Sequence, residues 1–135
     1  MDINIWSVII AAVVAFLISA IWYSPILFGT EWMALSGCTD KDVSNAKSKG
    51  VITFYIVQFI VTLVMFIVLG FAMNFAGVDT TSDGAIIGIL AWLGFIFPGH
   101  VGALMWERRP VKLVLINTVC SLLTLVVGGA IIGAW

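Results

Sequence analysis

Four apolar runs, each long enough to cross a bilayer, constrain this chain more than any other feature. They cover residues of about 3–25, 51–76, 84–105 and 113–134. A helix that crosses ~30 Å of hydrocarbon needs ~20 mostly apolar residues. Inside hydrocarbon every backbone N–H and C=O has to be paired within the segment, and runs this long do not alternate as barrel strands do. Pro25 stops or bends the first run, and Thr81-Ser82-Asp83 supplies N-cap candidates for the third. The expected fold is all-α: an integral membrane protein, one domain over 1–135, with four transmembrane helices in an up-down antiparallel bundle.

Composition agrees. Of 135 residues, 62% are hydrophobic and 10% charged, against about 25% charged in a soluble domain. The start, Met1-Asp2-Ile3-Asn4, lacks a basic n-region, so the first run is expected to be a retained helix.

The placement of charge sets the expected orientation. The six basic residues, Lys41, Lys47, Lys49, Arg108, Arg109 and Lys112, all lie in or beside the first and third loops. The opposite side carries Asp2, Asp79 and Asp83. Short loops follow the positive-inside rule, so loops 29–50 and 106–112 are expected in the cytoplasm of a bacterial inner membrane, with both termini outside. Trp22, Tyr23, Trp32 and Trp106 suit the inner aromatic belt, and Trp6 and Trp135 the outer one.

Loop 29–50 is the long connection. Thr39-Asp40-Lys41-Asp42 reads as a helix start with Thr39 as cap. Leu27, Phe28, Trp32, Met33 and Leu35 suit a short helix in the headgroup layer. Cys38 falls in this loop and Cys120 inside the last run, so no disulfide is expected.

Gly84-x3-Gly88 opens the third run and Gly129-x3-Gly133 closes the fourth. Glycines at that spacing let helix backbones approach closely in lipid. Two readings are open, a homo-oligomer face or packing between helices three and four, and packing is preferred. A fainter similarity links Pro25-x3-Gly29-x2-Trp32 with Pro98-x3-Gly102-x3-Trp106, as two parallel repeats would.

Polar side chains inside the runs are the natural pointers to function. Asn117 lies roughly 8 Å beyond Lys112, His100 roughly 10 Å from Glu107, and Gln58 roughly 10 Å beyond Val51. With Tyr23 and Ser24 they form a candidate polar pocket in the cytoplasmic half, His100 being its titrating member. The plainer reading, interhelical hydrogen bonds that fix packing, is preferred. Arg108, Arg109 and Lys112 are either an anionic-lipid cluster or a topology signal partnered by Glu31 or Glu107, the latter preferred.

Several chemistries lack residues. No Asp, Glu, Lys or Arg stands mid-run to couple protons or cations. No metal-ligand spacing, catalytic triad, phosphate loop or nucleic-acid feature is present. We therefore expect no catalytic residue, metal or cofactor, and lipids and further copies of the chain as partners.

Ala20-Ile-Trp22-Tyr23-Ser24-Pro25-Ile-Leu-Phe28-Gly29-x-x-Trp32-Met33 resembles the opening of a bacterial domain-of-unknown-function family, number 1761 in that series. The blocks Trp92-Leu93-Gly94-Phe95, Glu107-Arg108-Arg109-Pro110-x-Lys112-Leu113-x-Leu115-Ile116-Asn117 and Gly133-Ala134-Trp135 fit it as well. The resemblance covers nearly the whole chain. It implies a small four-helix membrane protein with no established activity. Three functions are weighed: an oligomeric binding or transport module built on the polar pocket, a structural or accessory subunit, and, with least support, a membrane enzyme acting on lipid or thiol substrates.

Overall fold

The computed structural model describes residues 3–37, 41, 45 and 50–135. The expectations placed on Asp2, Cys38, Thr39, Asp40, Asp42, Lys47 and Lys49 lie outside the described residues. Those described form α1 (Ile5–Trp22), α2 (Gly29–Ser36), α3 (Val51–Phe75), α4 (Thr81–Ala91), a π-helical turn (Trp92–Ile96), α5 (Phe97–Met105) and α6 (Val111–Ala134), and no strand occurs among them. Four segments are long and apolar enough to cross a membrane: Ile5–Trp22, Ile52–Phe75, Thr81–Met105 and Val111–Ala134.

Local chemistry sets the ends of these helices. Asn4 caps α1, its Oδ1 accepting the Trp6 N–H at 3.0 Å. The chain then leaves the helix sooner than the apolar run suggests. Phe28 N–H bonds the Trp22 carbonyl at 3.0 Å and Gly29 N–H the Ser24 carbonyl at 2.9 Å. A Cβ at Gly29 would collide with the Tyr23 carbonyl oxygen, so this turn requires glycine.

The third span starts three residues before the expected 84, and its cap is Thr80, not Thr81, Ser82 or Asp83. Thr80 is extended, its Oγ1 accepts the Asp83 N–H at 3.1 Å and donates to Asp83 Oδ2 at 2.8 Å. This reciprocal box satisfies an otherwise orphaned N–H and sets the Asp83 carboxylate against the positive end of α4. Midway, the π turn bonds Phe97 N–H to the Trp92 carbonyl and re-aims the helix just before Pro98 at the start of α5. Arg108, at φ 53°, reverses the chain, and Pro110 leads into α6.

Helix α6 is central. Its second half lies on α4, with Gly84 against Gly129 and Gly133, and Gly88 against Leu125 and Val126. Its first half meets α1, Tyr23 opposite Asn117 and Ser19 opposite Cys120. Helix α3 lies on α1: Gly70 faces Ile3 and Val8, while Phe16 stacks edge-on with Tyr55 and Phe59. A core of Val8, Ala11, Ala12, Ala15, Phe66, Leu69, Met73 and Leu125 fills the end nearer Gly84. The alanines of α1 recur at small-residue spacing and admit the aromatic ring of Phe66, which presses on Gly128. At the other end α3 meets the bundle through Phe16 of α1, and residues 52–58 are each exposed.

The two Pro-Gly-Trp blocks take different structures. Pro25 sits in the open turn between α1 and α2, whereas Pro98 lies inside a continuous helical span. Gly29 is tightly enclosed and Gly102 faces open space. The expected internal repeat has no structural counterpart in these segments.

Candidate functional site

Residues 116–121 of α6 gather polar groups from both sides. On the α1 side, Tyr23 OH donates to Asn117 Oδ1 at 2.7 Å, and Trp22 Nε1–H donates to the Ile116 carbonyl at 3.0 Å. Ser19 Oγ lies 3.8 Å from Cys120 Sγ, a buried free thiol. The Trp22 and Tyr23 rings are held in turn by Phe28 and Trp32, with centroids 4.7 Å and 5.8 Å away. Two consecutive residues at the end of α1 can reach α6 because the chain turns there and α2 folds back over it.

On the other side, Ser121 Oγ lies 3.3 Å from His100 Nε2, while Trp92 Nε1–H donates to Ser121 Oγ at 3.0 Å and contacts the Thr118 carbonyl at 3.3 Å. The π turn beginning at Trp92 swings α5 so that both Trp92 and His100 meet α6. Ser121 also donates to the Thr118 carbonyl, and Thr118 to that of Val114. Among the described residues no buried side-chain nitrogen or oxygen is left without a partner. Such satisfaction is what an apolar solvent demands.

Of the expected pocket residues, the structure joins Tyr23 to Asn117 and places His100 one helical turn along, on Ser121. Ser24 and Gln58 do not join them. Ser24 turns back to the Ile21 carbonyl at 2.6 Å. Gln58 lies on the part of α3 that diverges from the bundle, where its side chain is exposed. Equal depth along four helices thus became a belt around one helix, because depth fixes height and says nothing of the face. Ser19, Cys120, Ser121 and Trp92 were not among the expected site residues. The signals for two of them exist: an indole N–H within an apolar span has to find an acceptor, and Ser121 stands four residues after Asn117, on the same helix face.

Two cavities lie elsewhere. One of about 90 Å³, near the start of α1, is lined by polar Asn4, Ser7 and Asn74 together with Ile3, Met73 and Trp135. The other is a shallow apolar groove of about 350 Å³ along Phe16, Tyr55 and Phe59.

The basic loop forms two exposed ion pairs, Arg109 Nε to Glu107 at 2.8 Å and Lys112 Nζ to Glu31 at 2.7 Å. The second ties α2 to the start of α6. Both glutamates anticipated as partners are therefore engaged. The four glycines Gly84, Gly88, Gly129 and Gly133 face one another or the facing backbone within the chain, and a Cβ on any of them would strike it. Among the described residues no group of three or more His, Cys, Asp or Glu is placed to hold a metal ion.

Fold and site together define an all-helical protein with four helices apolar and long enough for a membrane, tied at one end by a polar belt. The chain belongs to the family described as protein of unknown function (DUF1761), which it matches over residues 6–133, nearly its whole length. This is the family that the Trp-Tyr-Ser-Pro and Glu-Arg-Arg-Pro blocks resemble. No curated protein and no solved structure matches the chain.

Proposed function

We propose that this protein is a structural or accessory subunit of the bacterial inner membrane, an up-down antiparallel bundle that acts by assembling with other membrane-embedded chains. The observation that carries this reading is that the side chains of the polar belt bond across the helices. Tyr23 bonds Asn117 Oδ1, His100 Nε2 and Trp92 Nε1 meet Ser121 Oγ, and Trp92 also reaches the Thr118 carbonyl on α6. Interhelical bonds of this kind fix packing at ~0.6–2 kcal/mol each. Membrane insertion is supported by the hydropathy of the four spans and by the apolar side chains they turn outward. The antiparallel arrangement is supported by pairs whose numbers rise on one helix and fall on the other, Gly84 with Gly129 and Gly88 with Leu125. The basic residues of the short loops support a cytoplasmic side for residues 29–50 and 106–112, with Arg108, Arg109 and Lys112 acting as a topology signal. A cysteine at Asp79 then reacts with impermeant reagent from outside and one at Glu107 does not; the reverse pattern overturns the orientation.

A second reading, a small-molecule binding module, draws on the cavity beside Asn4, Ser7 and Asn74. It moves the binding site away from Tyr23, Ser24, Gln58, His100 and Asn117 to the opposite end of α1. Native mass spectrometry of protein released from native membranes separates the two. Copies or protein partners without a non-lipid small mass support the subunit reading. A reproducible stoichiometric small mass overturns it in favour of binding.

A further inference from the structure

We propose that the first turns of α3 form a self-association site in which Gln58 of one copy pairs with Gln58 of a second copy. The inference rests on the membrane-subunit reading above and names its partner. Residues 52–58, about two turns of helix, are each exposed although the span they open is strongly apolar. Farther along, the same helix is packed, with Phe66, Leu69 and Met73 buried. Helix α3 therefore leaves the bundle as an arm, touching α1 there through Phe16 and Tyr55.

Gln58 makes that arm unsuited to bare lipid. It lies about 9 Å beyond Ile52 along the helix, inside the apolar span. Among the described residues nothing bonds its amide; Thr62 Oγ1–H donates to its backbone carbonyl at 2.7 Å. An unpaired amide in hydrocarbon is costly, and acyl chains offer neither donor nor acceptor. A second copy, related by a two-fold axis along the membrane normal, brings an identical amide to the same depth. An amide carries both donors and an acceptor, so the pair is self-complementary. Phe54 and Val61, four residues before and three after, share that face of the helix and are exposed. They supply the apolar contact around the polar pair. One polar residue in such a seam also fixes register, as buried asparagines do in coiled coils.

The test uses single cysteines in a chain carrying Cys38→Ser and Cys120→Ala, oxidised in native membranes. Phe54→Cys and Val61→Cys are expected to form disulfide-linked dimers in high yield. Ile56→Cys, equally exposed but on the opposite face, is expected to form few. Adding Gln58→Leu should weaken association, read by energy transfer between labelled copies diluted in vesicles, roughly 3- to 30-fold. Equal yields at positions 54, 56 and 61, no dimer at any of them, or a different protein cross-linked at 61 overturns the proposal. So does unchanged association with Gln58→Leu. Alkaline extraction keeps the two levels apart. A chain that stays in the membrane pellet without seam dimers overturns only the self-association, whereas loss from the pellet overturns the membrane reading and this inference with it.

Discussion

The two ends of this molecule are held together by opposite means. At the Gly84 end, α4 and α6 touch backbone to backbone because Gly84, Gly88, Gly129 and Gly133 have no side chains to keep them apart. At the Tyr23 end, large side chains bridge the helices, and the bonds run from tyrosine, tryptophan and histidine onto α6. Lipid tails are as apolar as leucine, so burial of apolar surface gives helices little reason to associate in a bilayer. Close approach with its dispersion contacts, and hydrogen bonds that hydrocarbon cannot replace, are the two remaining means. This protein uses one at each end. The comparison teaches that the Gly84 seam has no room for a side chain, whereas the Tyr23 end loses stability when a polar group is removed.

Mutations can break or sharpen that contrast. The largest effect is expected at Phe66, fully buried and seated on Gly128. Phe66→Ala should cost ~3–5 kcal/mol, while Phe95→Ala, 85% exposed, should stay within ~0.5 kcal/mol; reversible unfolding in mixed micelles compares the two. Next comes Gly129→Ala. Its methyl group would meet the Gly84 carbonyl, and backbone cannot rotate away, so ~1–3 kcal/mol should be lost. Gly99→Ala, which meets open space, should instead gain up to ~1 kcal/mol of helix propensity. If both substitutions have the same sign in a melting series, the tight seam is not where the structure places it.

At the Tyr23 end the expected changes are smaller. Tyr23→Phe and Asn117→Ala should each cost ~0.6–2 kcal/mol, and the double variant should cost little more than one of them, because both remove the same bond. Simple additivity in the cycle would show that the two groups do not act on each other. Smallest of all is Lys112→Ala. Its partner Glu31 is exposed, so below ~1 kcal/mol is at stake, and 1 M salt should erase the difference.

Much of the fold was legible in the chain, and the site only in part. The four spans follow from residue type averaged over long windows, a quantity indifferent to neighbours. The start of the third span was misread by a few residues because Thr80, Thr81 and Ser82 are all competent caps, and only the backbone at Thr80 is extended. The glycine spacing pointed to a close approach, yet the choice between a partner copy and a partner helix had to wait for the fold. Tyr23 and Asn117 were paired correctly in depth. Gln58 was matched to the same depth and lies elsewhere, since α3 diverges there. Trp92 was passed over because its indole looks like one more apolar side chain until a π turn points it at Ser121.

By itself the sequence determined how many apolar helices there are, where polar groups fall along them and where charge collects. These are properties of single residues and of distance along the chain, and hydropathy and helical rise are enough to give them. The tertiary structure alone decided which faces meet. It turned the glycines inward, split the polar candidates between two sides of α6, and left the first turns of α3 outside the bundle. The reason is that azimuth around each helix depends on every packed neighbour at once. A π turn or a proline in one span shifts the partners of another, and no local pattern in the chain records that shift.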